Sequence, residues 1–337
     1  MRTLLRALTG LAVAALLAVP LPARAGVITA YTALEEDDVK VYLDAFAKEV
    51  PDVKVNVLRL STGDLAARIL AEKSNPRHDV VWGVAVTQMV DPRLLEMAEP
   101  YTPKGIDEVK TLFKDPQHRW FATTGYYAAF CVNTEVLKKK NLPMPTSWQD
   151  LTKPVYKGEI VMPNAASSGT GYLQVASLLQ MKGEEAGWQF LKELDRNMAQ
   201  YIKSGSRPCR AAAAGEFAIG ASFAFSAVKQ IQQGYPVKLV IPSEGAGYEI
   251  EVSSLMKTSG NKADARRFLD WLLTPTAARL YGERAELSTV PGVKPPAAVL
   301  ATGLPADPST VLFKMDFDWS AKNKDRILAR WKKEIER

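Results

Sequence analysis

Histidine is almost missing from the chain: His78 and His118 are its two copies in 337 residues. Each stands in a polar stretch beside an arginine, Arg77 or Arg119, and reads as a surface residue. Cysteine is as scarce, with Cys131 and Cys209 alone and far apart. No Gly-x-Ser-x-Gly elbow, no partnered Ser-x-x-Lys set and no His-x-x-x-His or Cys-x-x-Cys spacing occurs. Nucleophilic hydrolysis and zinc chemistry therefore have almost no groups to work with. Also lacking is any run of Lys and Arg interleaved with aromatics of the kind that tracks nucleic acid, since Lys138-Lys139-Lys140 is short and reads as a solvated helix end. Past the first 25 residues no apolar run approaches the length of a membrane span.

The apolar residues that are present begin with a leader. Arg2 and Arg6 precede an apolar run over 8–21, and Ala23-Arg24-Ala25 supplies a small-x-small cleavage site. The pattern is that of a secretory signal peptide over 1–25, removed near Ala25, with no cysteine there to carry a lipid. Without Arg2, Arg6 and Arg24 the mature chain has a net charge of about +3, so much of the basicity is export signal. An exported, soluble, periplasmic monomer is expected. An oxidising compartment permits a Cys131–Cys209 disulfide, which would stabilise by about 4 kcal/mol through loop closure; two buried thiols are the alternative.

A mature chain of this length calls for more than one core. Strand patterns over 27–31, 53–58 and 80–82 alternate with helical patterns over 35–49, 63–73 and 85–95. After an apolar strand over 126–132 and a Pro- and Lys-rich connection, the alternation restarts from 159 to 240. A strand-like return over 249–256 and further helices follow, ending in a charged amphipathic helix over 320–337. Alternation of this kind predicts α/β sheets with ligands gathering at strand carboxyl ends.

One stretch organises the reading: Met162-Pro163-Asn164-Ala165-Ala166-Ser167-Ser168-Gly169-Thr170-Gly171-Tyr172 joins a strand to a helix. The first N–H groups of a helix lack partners and its dipole makes that end electropositive, so hydroxyls and glycines there suit a phosphate-like anion. An ordinary Ser/Thr cap is the plainer alternative. A second such turn, Ser61-Thr62-Gly63, enters the helix over 63–73. If both face one crevice, a single anion is gripped from two sides.

At this point the chain resembles the type II periplasmic solute-binding proteins of ABC importers. Within them it is similar to the iron, thiamine and phosphonate branch, and most narrowly to 2-aminoethylphosphonate-binding proteins. The matching stretches are Tyr31-Thr32-Ala33-Leu34-Glu35, Asp79-Val80-Val81-Trp82-Gly83, Pro145-Thr146-Ser147-Trp148, Lys157 to Tyr172, and Ser204-Gly205-Ser206-Arg207-Pro208-Cys209 with Ala212 to Phe217. The resemblance implies a two-lobed α/β Venus flytrap, its two sheets joined by crossing hinge strands near 132–134 and 248–253. Lobe 1 would comprise 26–132 and 248–337, lobe 2 would comprise 133–247, and the closed form would dock on an inner-membrane permease.

For an aminoalkylphosphonate ligand the expected anion donors are Ser61, Thr62, Ser167, Ser168, Gly169 and Thr170, with Ser204 and Ser206 in a third hydroxyl-glycine turn. The ammonium end needs carboxylates or aromatic faces. Tyr31 and Trp82 at strand ends are the aromatic candidates, with Thr32 beside Tyr31 also expected at the ligand. Glu35, Glu249 and Glu251 are the candidate carboxylates, the last two sharing one face of a strand. Phe223 and Phe225 also share a face and read as core. No cofactor, metal or catalytic residue is expected. Other ligands of the branch (a phosphate ester, thiamine, a polyamine or ferric ion) are the alternative, although Ser222-Phe223-Ala224-Phe225-Ser226 lacks the tyrosine pair expected for iron. A periplasmic phosphonate or phosphate hydrolase is the rival class.

Overall fold

The computed structural model describes residues 26–284 and 286–336; the expected signal peptide lies outside them. The strands are β1 Gly26–Thr32, β2 Val53–Arg59, β3 Val80–Ala85, β4 Ala98–Glu99, β5 Phe121–Asn133, β6 Ile160–Pro163, β7 Met198–Ile202, β8 Ile219–Phe223, β9 Val237–Val240 and β10 Tyr248–Met256. They run in the order β2-β1-β3-β10-β5-β8-β6-β7, with β4 added to β10 and β9 to β5. At one end β1 pairs in parallel with β2 and β3, and at the other β6 pairs in parallel with β7 and β8. The middle is antiparallel, and it is the middle that makes two lobes from one chain.

Every residue of β5 is buried, as a strand covered on both faces must be. Its first half, Phe121 to Tyr127, pairs with β10; its second half, Ala128 to Asn133, pairs with β8 and β9. The chain therefore passes between lobes at Tyr127–Ala128, earlier than the 132–134 expected. The Ala128 N–H donates to the Gly247 carbonyl at 2.8 Å, so the return into β10 lies beside it. Together these connections make a two-strand hinge.

The first lobe's core lies between the sheet and the helices Glu36–Glu49, Lys262–Trp271 and Pro275–Glu283, with Phe46, Trp82 and Phe268 at its centre. The helix Glu36–Glu49 carries Glu36, Asp37 and Asp38 in its first turn, where they complement the dipole. The second lobe's core holds Phe130, Trp148, Tyr156 and Trp188, each worth about 2–3 kcal/mol of burial. Into the same core the helix Phe317–Glu334 inserts Ile327 and Trp331. The tail, expected with lobe 1, thus adds Ile327 and Trp331 to the second lobe's core, while its Phe317 packs edge-on against Tyr248 of β10 and its Lys324 bonds to Gln88 of the first lobe.

Two other expectations change. The helix predicted over 85–95 is two short ones, Val86–Met89 and Pro92–Leu95, since Pro92 cannot continue a helix and Asp91 caps a new one through the Arg93 N–H at 2.8 Å. His78 is buried, stacked on Tyr31 with ring centroids 4.4 Å apart, and burial lowers its pKa to about 4. His118 is exposed, as expected. Cys131 on β5 and Cys209 on the helix Arg207–Ala213 form a disulfide with Cα atoms 5.2 Å apart.

Candidate binding cleft

Two helix starts from different lobes come together between them. Ser61 precedes the helix Thr62–Ala71 with extended backbone and its hydroxyl makes no cap bond, which leaves it available. Ser168 precedes the helix Gly169–Lys182 and its Oγ accepts from the Gly171 N–H at 3.3 Å. The two turns touch: the Gly63 N–H donates to the Ser167 carbonyl at 3.0 Å. A Cβ at Gly63 would stand 2.0 Å from the Ala166 carbonyl oxygen, so only glycine permits this approach. One at Gly169 would stand 2.8 Å from Thr62 Oγ1 and 2.9 Å from the Tyr126 hydroxyl. Both helix starts thus present their dipoles and hydroxyls to one place.

That place is a cavity of about 30 Å³ whose walls include Ser61, Thr62, Ser168, Gly169, Thr170 and Glu251. Tyr126, Gly205, Phe223, Phe225, Arg59 and Glu35 also line it. An outer space of about 590 Å³ shares Glu35, Arg59, Phe223 and Phe225 with it and extends past Ser206, Arg210 and Lys229. A small inner chamber with a charged vestibule results.

The inner chamber mixes donors with a buried acid. Glu251 Oε2 accepts from Thr124 Oγ1 at 2.7 Å, and burial raises its pKa to about 8, with Asp38, Glu35 and Glu249 adding repulsion. Burial also raises the Tyr126 phenol, which has Glu249 and Glu251 nearby and Thr170 within hydrogen-bonding reach. Arg59 pairs with Glu35 at 3.0 Å and donates through Nε to the Leu34 carbonyl at 2.9 Å. Contacts across the vestibule tie the lobes: Ser206 Oγ donates to Glu35 Oε2 at 2.8 Å, and Lys229 Nζ lies 2.5 Å from Asp37.

Of the expected site residues, Ser61, Thr62, Ser168, Gly169, Thr170 and Glu251 share the inner chamber, and Ser206 borders the vestibule. Glu35 lines both spaces, whereas Ser167, Ser204, Thr32, Tyr31, Trp82 and Glu249 turn elsewhere. Ser167 turns its hydroxyl to the Lys203 carbonyl at 3.2 Å, and Ser204 accepts from the Arg207 N–H at 3.3 Å, stabilising its own turn. Thr32 is buried and accepts from the Leu34 N–H at 3.1 Å. Tyr31 donates to Glu72 at 2.8 Å and stacks on His78. Trp82 is 1% exposed and packs edge-on against Tyr42 and Phe268, because β3 continues to Ala85 and its turn comes after Trp82. Glu249, although it shares a strand face with Glu251, is taken by the Thr87 hydroxyl at 2.5 Å.

Arg59, Tyr126 and Gly205 line the chamber without having been expected in the site, and Phe223 and Phe225 are wall as well as core. Arg59 was within reach of the argument, as the last residue of β2 just before Ser61. Tyr126 becomes a wall residue only because β5 crosses beneath the cleft, which no local pattern reveals.

With this geometry in view, the relatives are informative. Residues 87–301 match the family model described as bacterial extracellular solute-binding protein. An uncharacterised protein of Haemophilus influenzae is 33% identical over 300 residues, covering 84% of each chain. A probable ABC transporter periplasmic-binding protein, y4fP of Sinorhizobium fredii, is 27% identical over 77% of this chain and 70% of its own. Among solved structures, the periplasmic binding protein AfuA of Actinobacillus pleuropneumoniae, with fructose-6-phosphate bound, is 30% identical at a TM-score of 0.85, covering 92% of this chain and 98% of that one. The chain belongs to the bacterial extracellular solute-binding proteins and is a periplasmic solute-binding component of the ABC-importer type.

Proposed function

We propose that the protein captures 2-aminoethylphosphonate, or a close organophosphonate, between its lobes and delivers it to a membrane permease, without chemistry of its own. A phosphonate carries between one and two negative charges near neutral pH, as phosphate esters do. Ser61 and Thr62 from one lobe, and Ser168, Gly169 and Thr170 from the other, offer it hydroxyls and helix-start N–H groups. Glu251 offers a carboxylate to the ammonium, and Phe223 and Phe225 flank a short alkyl chain. The observation that carries this reading is the composition of one small chamber: anion donors from two helix starts beside a buried carboxylate.

The mechanism follows from the hinge. The lobes turn about β5 at Tyr127–Ala128 and the start of β10, and a ligand that touches both favours the closed form to the extent that closed binds it better. The contacts of Gly63 with Ser167 and of Ser206 with Glu35 belong to that closed form.

A phosphate monoester is the second reading, favoured by the relative that holds fructose-6-phosphate and by the vestibule of about 590 Å³, which has room for a sugar. Thermal unfolding of the mature protein separates the two. At a hundredfold excess over its dissociation constant the true ligand stabilises by about 2.7 kcal/mol. We expect 2-aminoethylphosphonate to give the largest shift in a panel with fructose 6-phosphate, inorganic phosphate, thiamine, a polyamine and ferric ion. A shift with fructose 6-phosphate and none with the phosphonate would reassign the solute.

A further inference from the structure

Acids run inward from the cleft with too little positive charge beside them. Glu251 lines the inner chamber and is 6% exposed. The backbone N–H groups of Leu287 and Thr289 donate to the Gly125 and Thr123 carbonyls at 3.0 and 3.1 Å, laying this segment along β5 beside Thr124, the partner of Glu251. Glu286 enters the interior there, 5% exposed; its Oε1 accepts from the Tyr42 hydroxyl at 2.6 Å and its Oε2 has no hydrogen-bond partner among the described residues. One helical turn before Tyr42 stands Asp38, 1% exposed, whose Oδ1 is held by Arg284 and Lys229 and whose Oδ2 has no hydrogen-bond partner among the described residues.

The surrounding groups do not correct the balance. Among the described residues, Arg284 and Lys229 are the cations that reach Asp38, and both also contact Asp37. At the cleft side Arg59 is paired with Glu35. Earlier on β10, Glu249 adds another buried acid with the Lys324 ammonium near it, and the Tyr126 and Tyr281 phenols, raised by burial, face the cluster uncharged. Ionising Glu251, Glu286 and Asp38 together costs more than two shared cations offset. Burial, with mutual repulsion, raises the pKa of all three, that of Glu251 to about 8.

We propose that Glu251 is the specificity-determining residue for a cationic group on the ligand, and that capture of an amine-bearing phosphonate releases a proton from the Glu251–Glu286–Asp38 cluster to solvent. This rests on the aminoalkylphosphonate reading above. An ammonium at Glu251 favours the carboxylate, so the carboxyl O–H is replaced by an N–H···O contact and the proton leaves. A phosphonate without the amine gives the cluster no reason to ionise. Affinity for the amine-bearing ligand then rises with pH, by up to about tenfold per unit below pH 8, and levels off above.

The test is titration calorimetry at pH 7.5 in two buffers of different ionisation enthalpy, with 2-aminoethylphosphonate and ethylphosphonate. The ammonium lowers the second phosphonate ionisation of 2-aminoethylphosphonate relative to ethylphosphonate, so each free ligand is titrated separately and its own proton contribution at pH 7.5 is subtracted; the remaining difference reports the carboxyl cluster. The expected result is more than about half a proton released per 2-aminoethylphosphonate beyond that seen with ethylphosphonate. In Glu251→Gln the extra proton disappears and 2-aminoethylphosphonate affinity falls at least about tenfold. Binding of 2-aminoethylphosphonate with no extra proton released would overturn this inference and leave the proposed function standing. No binding of it, with fructose 6-phosphate bound instead, would overturn both. The proton count on the parent protein is independent of how the variant folds.

Discussion

Thr170 sits in the first turn of its helix, in the inner chamber and within reach of the Tyr126 hydroxyl. Its removal leaves the anion one donor short in a buried place. Thr170→Ala is expected to weaken phosphonate binding by about 1–3 kcal/mol, read by calorimetry, without loss of fold; a variant that binds like the parent removes Thr170 from the site. Trp82→Ala makes the opposite prediction. Its ring lies wholly in the first core, so the variant is expected to lose about 3–5 kcal/mol of stability in denaturant unfolding while the protein that remains folded keeps its phosphonate affinity. Lost affinity at unchanged stability would return Trp82 to the cleft. These two residues also mark what is legible residue by residue. Ser168 and Thr170 are readable because capping and anion binding are local chemistry at a strand-to-helix turn. Trp82 and Tyr31 are not, because their fate depends on where a strand ends and which face is covered.

The element with the most unusual chemistry is β10, which carries Glu249 and Glu251 through the middle of the molecule. Burial raises their pKa values to about 7 and about 8. An acid whose folded value lies above its unfolded value of about 4.3 leaves the folded state holding more protons in between, so its contribution is complete below the unfolded value and fades as pH rises through the folded one. Asp91, held low by its hydrogen bond from Arg93, acts oppositely and is lost on the acid side. The ligand-free protein is therefore expected to have its highest melting temperature near about pH 5 and to lose stability towards about pH 8. Glu249→Gln should flatten that fall; a melting temperature rising steadily across the same interval would contradict the assignment. The i, i+2 spacing of these acids is visible in the sequence, but their different partners, Thr87 for one and the chamber for the other, are set by elements far along the chain. The helix Glu36–Glu49 teaches the same point: its core face includes Tyr42 and Asp38, polar residues that a purely apolar stripe passes over because their partners, Glu286 and Arg284, are remote.

At the scale of the whole molecule, the alternation of strands and helices, the return strand into β10 and the resemblance to a flytrap predict the architecture that is seen. The hinge is less legible. Thirteen continuous buried residues of β5 give no sign of where the partner strand changes, since pairing with β10 and pairing with β8 make the same demand on side chains. The tail helix is hard to assign for a related reason: its amphipathic pattern announces a buried face but not which core receives it. The account's central claim also lives at this scale, namely that helix starts from both lobes grip one anionic head group. Titration calorimetry with 2-aminoethylphosphonate on two folded double variants, Ser61→Ala with Thr62→Ala and Ser168→Ala with Thr170→Ala, tests it directly. The account predicts that each loses at least about tenfold in affinity; parent-like binding by either would mean that its lobe does not hold the anion.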